Sequence, residues 1–371
     1  MFFIVTMFSI LPIACVFSGS SIVPSPPTLL TGTLPAAPEC PSGTTARSSD
    51  RIAFMSDGSQ EGHHEIYIMQ ADGSGRTQLT HSPINAHDPV WSPDGNKIFF
   101  LSEVGSEHLS NNDLFVMNAD GSEQTVLVNN VWRNPVISPD GSRILFARLE
   151  NEQAETAGSS EIYSMNIDGS NLTKLTNNNT ANYIATWSPD GKQIVIDDNS
   201  GIYVINADGN GKQKVTAGNY PTWSPDGSRI AFNITRLPGI FEPAETPTYR
   251  HLFTIRPDGT GLIDLYDNQS EGFPQWSPNG DRIAFFSANL VRSSYSLNVI
   301  NADGSGGLQL LETRGASTPV WSPDGEWIAL SIYPDLGSLD ADIAVTRSTC
   351  AGFWNLTNAP GDDTQPVWSP K

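Results

Sequence analysis

The sequence predicts an all-β fold, a seven-bladed β-propeller of four-stranded antiparallel blades in which the C-terminal strand closes the ring. Two turn motifs and one apolar strand pattern, each repeated along the chain, are the observations that predict it. Repeats of about 40 to 50 residues that carry strand patterns are typical of propeller blades.

The first motif is Trp-Ser-Pro-Asp-Gly, which recurs at intervals of 36 to 53 residues. Complete copies occupy 91–95, 187–191, 223–227 and 321–325, near copies occupy 137–141 and 276–280, and a truncated copy occupies 368–370. Proline fixes φ and aspartate caps the turn, so each copy predicts a tight turn between two strands. Six of the nine tryptophans open this motif, and we expect them to wedge between adjacent blades.

The second motif ends in Asp-Gly, a strong hairpin signal because glycine accepts a positive φ. Its copies occupy 70–73, 118–121, 166–169, 206–209, 256–259 and 301–304. Each copy follows a short apolar segment, so it predicts the turn between the two outer strands of a blade.

An apolar strand follows each of the six copies of the first motif between 91 and 325, and a further copy of this strand begins the first repeat. Seven copies of the strand predict seven blades. The copies occupy 51–54, 97–101, 143–146, 193–196, 229–232, 282–285 and 326–330. Lettered a to d from the channel outwards, these are the b strands of four-stranded blades. The first repeat begins at strand b and residues 365–370 form an extra strand a. Joining the two closes the ring and removes an open sheet edge.

These repeats resemble those of the TolB-like β-propeller family, a relative of the WD-repeat propellers. The resemblance rests on Trp-Ser-Pro-Asp-Gly followed by Ile-Ala-Phe, and on the Ile-Tyr and Leu-Thr elements at 65–80 and 161–176. It covers 50–371 and implies the fold. In the protein that gives the family its name, an α/β domain precedes a six-bladed propeller. This sequence departs from that arrangement.

The N-terminal region predicts export. Residues 1–17 are almost wholly apolar and resemble the h-region of a signal peptide, although the basic n-region is missing. Residues 18–49 are rich in Ser, Pro and Thr, which predicts a solvated linker ahead of the propeller at 50–371. We expect a periplasmic, cell-surface or extracellular protein; an uncleaved anchor or an artefactual leader are the alternatives.

Cysteine positions add two expectations. Cys15 follows Ala14 as a lipoprotein cysteine would, although Pro12 stands where leucine is usual, so a lipid-anchored form stays open beside an ordinary leader cysteine. Cys40 precedes the first strand b, and Cys350 lies between strands c and d of the seventh blade. Both belong at the closure point on one face of the ring, which predicts a disulfide in an exported protein. The alternative is two free thiols.

The net charge is −20, from 40 acidic and 20 basic residues. An acidic surface repels phosphate backbones, which argues against nucleic acid as a partner. No basic cluster favours a membrane surface, so membrane contact is expected only through an N-terminal anchor. We expect a monomer whose partner is a protein or small ligand that is cationic, neutral or bridged by a metal.

The b–c and d–a loops vary in length, whereas the a–b and c–d turns are uniform. We call the side of the ring with the long loops the variable-loop face, and binding chemistry is expected there. The residue three positions before each motif tryptophan begins an innermost strand at the channel mouth. The candidate binding residues, which include the nearby Trp132, are Asp88, Trp132, Asn134, Tyr220, Phe273, Thr318 and Gln365. The alternative role is blade packing alone.

Five histidines gather over the first two blades, which makes them candidate ligands for a divalent metal. They are His63, His64, His81, His87 and His108. No His-Glu-x-x-His spacing supports a metal site, and solvated loop histidines are the competing interpretation. No other cofactor is predicted.

Together these features predict an exported, non-catalytic propeller that acts as a protein- or ligand-binding scaffold in the cell envelope. The alternative is a metal-dependent propeller lyase acting on oligosaccharides, because seven-bladed lyases of pectin fragments resemble this chain and use histidine-bound metal. A serine peptidase is disfavoured, since the sequence has no Gly-x-Ser-x-Gly nucleophile elbow.

Overall fold

The computed structural model describes residues 34–41, 46, 49–58, 63–81, 85–103, 112–149, 160–177, 184–198, 200–236, 249–266, 270–289, 294–315, 317–333, 340–358 and 361–370. Within these ranges the chain forms 28 β-strands in seven four-stranded sheets, and it contains no helix. Among the same residues, no apolar helix reaches the length that a bilayer crossing requires. The prediction of a seven-bladed, all-β propeller is therefore confirmed.

Three blades come from the first part of the chain. Blade one contains β1 (Arg51–Ser56), β2 (Glu65–Gln70) and β3 (Thr77–Gln78); blade two contains β4 (Ala86–Trp91), β5 (Lys97–Glu103), β6 (Asn112–Asn118) and β7 (Thr125–Val131); blade three contains β8 (Arg133–Ile137), β9 (Arg143–Leu149), β10 (Ser160–Asn166) and β11 (Thr173–Lys174). In each sheet, consecutive strands are antiparallel neighbours.

Four further blades follow the same order, and the last strand returns to blade one. Blade four contains β12 (Ile184–Trp187), β13 (Gln193–Asp197), β14 (Ile202–Asn206) and β15 (Gln213–Thr216); blade five contains β16 (Asn219–Trp223), β17 (Ile230–Arg236), β18 (Tyr249–Ile255) and β19 (Ile263–Tyr266); blade six contains β20 (Ser270–Trp276), β21 (Arg282–Asn289), β22 (Ser294–Asn301) and β23 (Leu308–Thr313); blade seven contains β24 (Val320–Trp321), β25 (Trp327–Ile332), β26 (Asp342–Arg347) and β27 (Phe353–Asn355).

The ring closes as the sequence predicts. Strand β28 (Asp363–Trp368) pairs antiparallel with β1, with Ile52 opposite Trp368 and Ser56 opposite Asp363. The Arg76 guanidinium holds the buried Asp363 carboxylate through two hydrogen bonds of 3.0 and 3.2 Å. Strand β28 is therefore joined to blade one by its ladder with β1 and by an ion pair with Arg76, which directly precedes β3.

The Ser-Pro-Asp-Gly turns are held by their own side chains. Asp94 accepts hydrogen bonds from the Ser92 hydroxyl at 2.6 Å and from the Asn96 amide at 3.1 Å. These donors lower the pKa of Asp94 to about 2, with the Ser92 hydroxyl contributing most. Gly95 completes the turn at φ 69°, a conformation that favours glycine. The aspartates of these motifs thus cap turns, as expected.

The hydrophobic core is divided into seven clusters, one at each seam, the interface between neighbouring blades. The motif tryptophans stand at these seams, and five of their indole N–H groups donate to a carbonyl in the inner strand of the preceding blade. The acceptors are Val367 for Trp91, Val136 for Trp187, Thr222 for Trp276, Gln275 for Trp321 and Val320 for Trp368. The predicted wedging role of the tryptophans matches this arrangement.

Part of the region expected to be a solvated linker lies against the ring. Leu34, Ala37 and Ala46 are buried, with 6–7% of their surfaces exposed. Cys40 and Cys350 are joined in a disulfide, and their Cα atoms are 5.0 Å apart. The predicted boundaries at 17 and 49 stay predictions, but the described end of the linker packs on the blades.

Candidate functional site

A cavity of about 650 Å³ lies where the inner strands of six blades converge on the ring axis. Its wall is apolar, formed by proline, valine and alanine side chains such as Pro89, Val136 and Ala185. Its polar lining is Asp88, Arg133, Thr186, Asp197, Asn219, Tyr220, Ser317, Thr318 and Gln365. An apolar cavity with a few convergent polar groups is the usual form of a ligand site.

β-Bulges shape the mouth of this cavity. In blades one, two, three and five, the inner strand contains one more residue than the strand b segment that it pairs with, and in blade six it contains two more. In blade two, for example, His87 pairs with Leu101 and Val90 with Phe99. A bulge re-aims the side chain at the extra residue. The residues three before the motif tryptophans occupy these positions.

Three bulge residues have a left-handed backbone. Their φ angles are 52° at Asp88, 58° at Tyr220 and 56° at Gln365, although none is glycine. Non-glycine residues in this region cost on the order of 1–3 kcal/mol each and gather at functional sites. Here all three line the same cavity. Three of the seven non-glycine residues with a positive φ therefore lie at the channel mouth.

The bulges also leave backbone N–H groups that do not bond within the strand ladder. Side chains of the preceding blade accept hydrogen bonds from these groups. The Asp88 amide of blade two donates to Gln365 Oε1 of blade one at 2.7 Å. The Tyr220 amide of blade five donates to Asp197 Oδ2 of blade four at 3.1 Å. These two bonds cross seams at the channel mouth, so the rim is braced between blades.

Asp197 is a cavity residue that the sequence pattern did not single out. It ends strand β13, only 1% of it is exposed, and it lines the cavity. The corresponding position is apolar in four other b strands, as Met55, Leu101, Ala147 and Phe286, and it is uncharged in the remaining two, as Asn233 and Ser331. A carboxylate at a position that is uncharged in the other six repeats is the signal that could have identified it.

His87 lies beside the mouth and connects Asp88 of the inner strand β4 to Asn112 of strand β6 in the same blade. Its Nδ1 is 3.1 Å from Asp88 Oδ2 and its Nε2 is 3.1 Å from Asn112 Oδ1. Desolvation lowers the pKa of His87, but the hydrogen bond and charge of Asp88, the Asn112 carbonyl and the charge of Glu103 outweigh it, so the pKa is raised. A protonated imidazole can donate to both acceptors, and its charge then balances that of Asp88.

The predicted binding residues divide into three groups. Asp88, Tyr220, Thr318 and Gln365 line the cavity. Asn134 and Phe273 lie in strands β8 and β20, but their side chains are outside the described part of the structure. Trp132 is away from the cavity wall: it packs against the seam of blades three and four, with the Arg133 guanidinium 4.6 Å from its ring centre.

The predicted metal ligands are dispersed. His63 and His81 are exposed, His64 Nε2 is 3.8 Å from Asp362 Oδ2, and His87 contacts Asp88. His108 lies outside the described residues. In the portion of the chain that the structure describes, no three His, Cys, Asp or Glu side chains are grouped to hold a metal. The metal site therefore stays a prediction without geometric support.

The fold and cavity define the class: a seven-bladed propeller with a ligand-sized pocket on its axis. The model of the TolB β-propeller domain matches residues 46–157 and 153–322, which together cover most of the chain. The chain belongs to the TolB β-propeller domain family, and the resemblance predicted from the repeats is confirmed.

Solved structures show the same fold at low sequence identity. TolB from Acinetobacter baumannii is 18% identical with a TM-score of 0.53, and the match covers 89% of this chain and 69% of that one. An oligogalacturonate lyase in complex with manganese is 14% identical with a TM-score of 0.62, covering 91% of this chain and 90% of the lyase. Both likenesses concern the fold.

Curated relatives match this chain over short segments. The uncharacterized peptidase YuxL of Bacillus subtilis (strain 168) is 32% identical over 82 residues, which is 22% of this chain. The match spans only 12% of the length of that relative. Because the match is confined to a short part of a much longer chain, the activity of the whole relative is not transferred to this protein.

Proposed function

We propose that this protein is an exported, non-catalytic propeller that binds a protein segment or small ligand at the mouth of its channel, on the variable-loop face. The observation that carries the proposal is the cavity of about 650 Å³ with Asp88, Tyr220 and Gln365 strained around its rim. Strain of this kind persists only where the surroundings enforce it.

The chemistry of the cavity favours a partner with an apolar body and a cationic or hydrogen-bonding group. Pro89, Val136 and their neighbours offer apolar wall, while Asp88 and Asp197 offer carboxylates. Tyr220 presents an aromatic ring with a polar hydroxyl, a side chain that recurs at binding surfaces. The overall charge of −20 favours the approach of a cationic partner.

Export is proposed on separate grounds. The apolar residues 1–17 match the h-region of a signal peptide, and the Cys40–Cys350 disulfide suits an oxidising compartment. We propose a periplasmic, cell-surface or extracellular monomer, with lipidation at Cys15 as the route to a membrane-anchored form.

Site-specific photo-crosslinking in cells tests the binding proposal. A benzophenone amino acid replaces Thr318 in the cavity in one full-length protein and Val126 on the outer strand β7 in another. Thr318 lines the cavity, whereas Val126 is 47% exposed and lies on the outer edge of blade two. We expect a discrete adduct from position 318 and none from position 126.

Substitution of the rim sharpens this experiment. Asp88→Asn and Gln365→Ala, added to the position 318 protein, should reduce the adduct at least fivefold while the melting temperature is monitored separately. Adducts of equal yield from both positions, or no adduct from position 318, would overturn the proposal of a channel-mouth site.

A metal-dependent lyase is the second candidate, and its support is the overall likeness to the manganese-bound oligogalacturonate lyase. His87 is the described histidine nearest the cavity, through its contact with Asp88. Calorimetric titration of the full chain with Mn²⁺, followed by an assay for unsaturated products from oligogalacturonate, tests it. One Mn²⁺ per chain together with activity lost in His87→Ala would favour the lyase, and the absence of both would remove it.

A further inference from the structure

The described residues 34–41, which we call the strap, run along the outside of blades six and seven. Ala37 N donates to Gln309 O, and Gln309 N donates to Pro35 O, both at 2.8 Å. Cys40 N donates to Ala351 O at 3.1 Å, and Ala351 N donates to Pro38 O at 2.6 Å. The strap is thus bound to two blades by four backbone hydrogen bonds.

Apolar side chains of the strap and of the following segment enter three consecutive seams. Leu34 packs with Leu265 and Phe285 between blades five and six. Ala37 packs in the cluster between blades six and seven, and Ala46 packs in the cluster between blades seven and one. One short segment therefore covers the last seams of the ring, including the seam beside the closing strand.

The disulfide gives the ring a second closure that is independent of the first. Strand β28 closes the ring without covalent bonds, through its ladder with β1 and the Arg76–Asp363 pair. The Cys40–Cys350 bond connects positions 310 residues apart, joining the segment ahead of blade one to blade seven. The ring is therefore closed twice, once by noncovalent contacts and once by a covalent bond.

We propose that the Cys40–Cys350 disulfide is a redox-operated latch: it keeps the strap across these seams, and its reduction releases the strap while the ring stays closed. Without the disulfide, the described contacts that keep the strap in place are backbone hydrogen bonds and the packing of side chains no larger than leucine. The ring keeps the complete β28–β1 ladder, the Arg76–Asp363 pair and the Trp368 indole bond to Val320. The weaker of the two attachments opens first.

The redox step is an ordinary thiol–disulfide exchange with a dithiol. A thiolate of the dithiol attacks one sulfur of the disulfide and forms a mixed disulfide, and the other cysteine leaves as a thiolate and takes up a proton. The second thiol of the dithiol then releases the remaining cysteine. Two electrons pass to the protein, which gains two thiols, and the dithiol becomes a cyclic disulfide. Cys40 is half-buried and Cys350 is buried, so Cys40 is the more exposed of the two residues.

Release of the strap exposes a strand edge. The backbone N–H and C=O of Gln309 bond the strap, and they belong to β23, the outer strand of blade six. An unpaired outer strand can accept another extended chain. Reduction therefore changes the outer surface of blade six, far from the channel mouth, and the inference stands apart from the proposed channel ligand.

Hydrogen exchange followed by mass spectrometry on the full chain, with and without dithiothreitol, tests the latch. We expect peptides containing 34–41 and 308–313 to exchange at least tenfold faster after reduction. Peptides containing 51–56 and 363–368 should be unchanged. Unchanged exchange in the strap, or faster exchange in both closing strands, would overturn the proposal.

The Cys40→Ser variant provides the matched control, because it breaks the bond and changes only one atom of the side chain. It should show the exchange of the reduced protein before dithiothreitol is added and no further change afterwards. A disulfide-linked dimer of the unmodified protein on a non-reducing gel would contradict the latch, since it would show that the cysteines pair between copies.

Discussion

Blade four and blade five differ at their inner strands, and the difference begins with one residue. Strand β12 of blade four pairs evenly with β13, from Ile184 opposite Asp197 to Trp187 opposite Ile194. Strand β16 of blade five gains one residue between Asn219 and Thr222. Six of the seven blades have proline two positions before the first residue of the motif, whereas blade four has Ala185. Proline on an edge strand is typical of a bulge.

The even pairing of β12 has a consequence at the seam between blades four and five. Trp321 donates its indole N–H to Gln275 O of blade six at 3.0 Å, as four other motif tryptophans do at their seams. Trp223, which follows blade four, has a buried Nε1 with no hydrogen-bond partner among the described residues. We infer that the bulge brings the inner-strand carbonyl within reach of the next tryptophan, and that a straight strand does not.

The largest expected effect comes from replacing tryptophan by phenylalanine on either side of this comparison. Trp321→Phe loses packing and an indole hydrogen bond, so we expect a loss of about 2–3 kcal/mol in the free energy of unfolding. Trp223→Phe loses packing but no hydrogen bond, and it should cost about 1 kcal/mol less. Urea unfolding of both variants measures the difference. Equal losses would show that the two seams do not differ in the way described.

Asp197 connects blade four, whose inner strand is straight, to blade five, whose inner strand is bulged. Its substitution should have the next largest effect on stability. Asp197→Ala removes the acceptor of the Tyr220 amide, so we expect a loss of about 1–2 kcal/mol of stability. Asp197→Asn keeps an acceptor oxygen and should retain most of that stability. If alanine and asparagine were equally damaging, the hydrogen bond to Tyr220 could not be the cause.

The strained backbone at Tyr220 gives a smaller but more diagnostic comparison. Tyr220→Gly and Tyr220→Ala both remove the ring, but only glycine adopts a φ near 58° without a steric penalty. We expect the glycine variant to be more stable than the alanine variant by about 1 kcal/mol in thermal or urea unfolding. If the alanine variant were the more stable of the two, as is usual in strands, residue 220 would not have a left-handed backbone.

The smallest expected effect is the pH dependence at the bulge of blade two. The raised pKa of His87 means that its stabilising contribution is complete below the unfolded value of about 6.5 and is lost as the pH rises through the folded value. The stability difference between the wild type and His87→Gln should therefore shrink with rising pH. An NMR titration of the His87 ring gives the folded pKa directly, and a value below that of a free histidine would contradict the assigned contacts.

The repeats were sufficient to predict the blades, their number and the closing strand, because turn motifs and apolar strands are local signals. They also placed Asp88, Tyr220, Thr318 and Gln365 at the channel mouth, since one position per repeat begins each inner strand. The bulges themselves could not be derived, because the pairing register depends on the partner strand. Their sign in the sequence is the proline that recurs two positions before the first residue of the motif.

Other features depend on contacts between distant segments. Ser- and Pro-rich composition predicted a solvated linker, yet Leu34 and Ala37 find seams that exist only in the assembled ring. Trp132 and Tyr220 are both aromatic, so residue type does not distinguish them. Their positions differ because Trp132 packs at the seam between blades three and four. Asp197 looked like one of many surface acids until strand β13 placed it in the cavity.

Because β28 closes the ring, closure has to wait until the last strand of the chain has been made. Ribosomes make about 5–20 residues per second, so β1 waits roughly 15–60 seconds for the partner that begins at Asp363. During that interval, the innermost edge of blade one is bare, and a chaperone or a neighbouring nascent chain can reach it. A stop codon shortly before residue 363 would make this passing vulnerability permanent, and the product should be removed by proteases or found in aggregates.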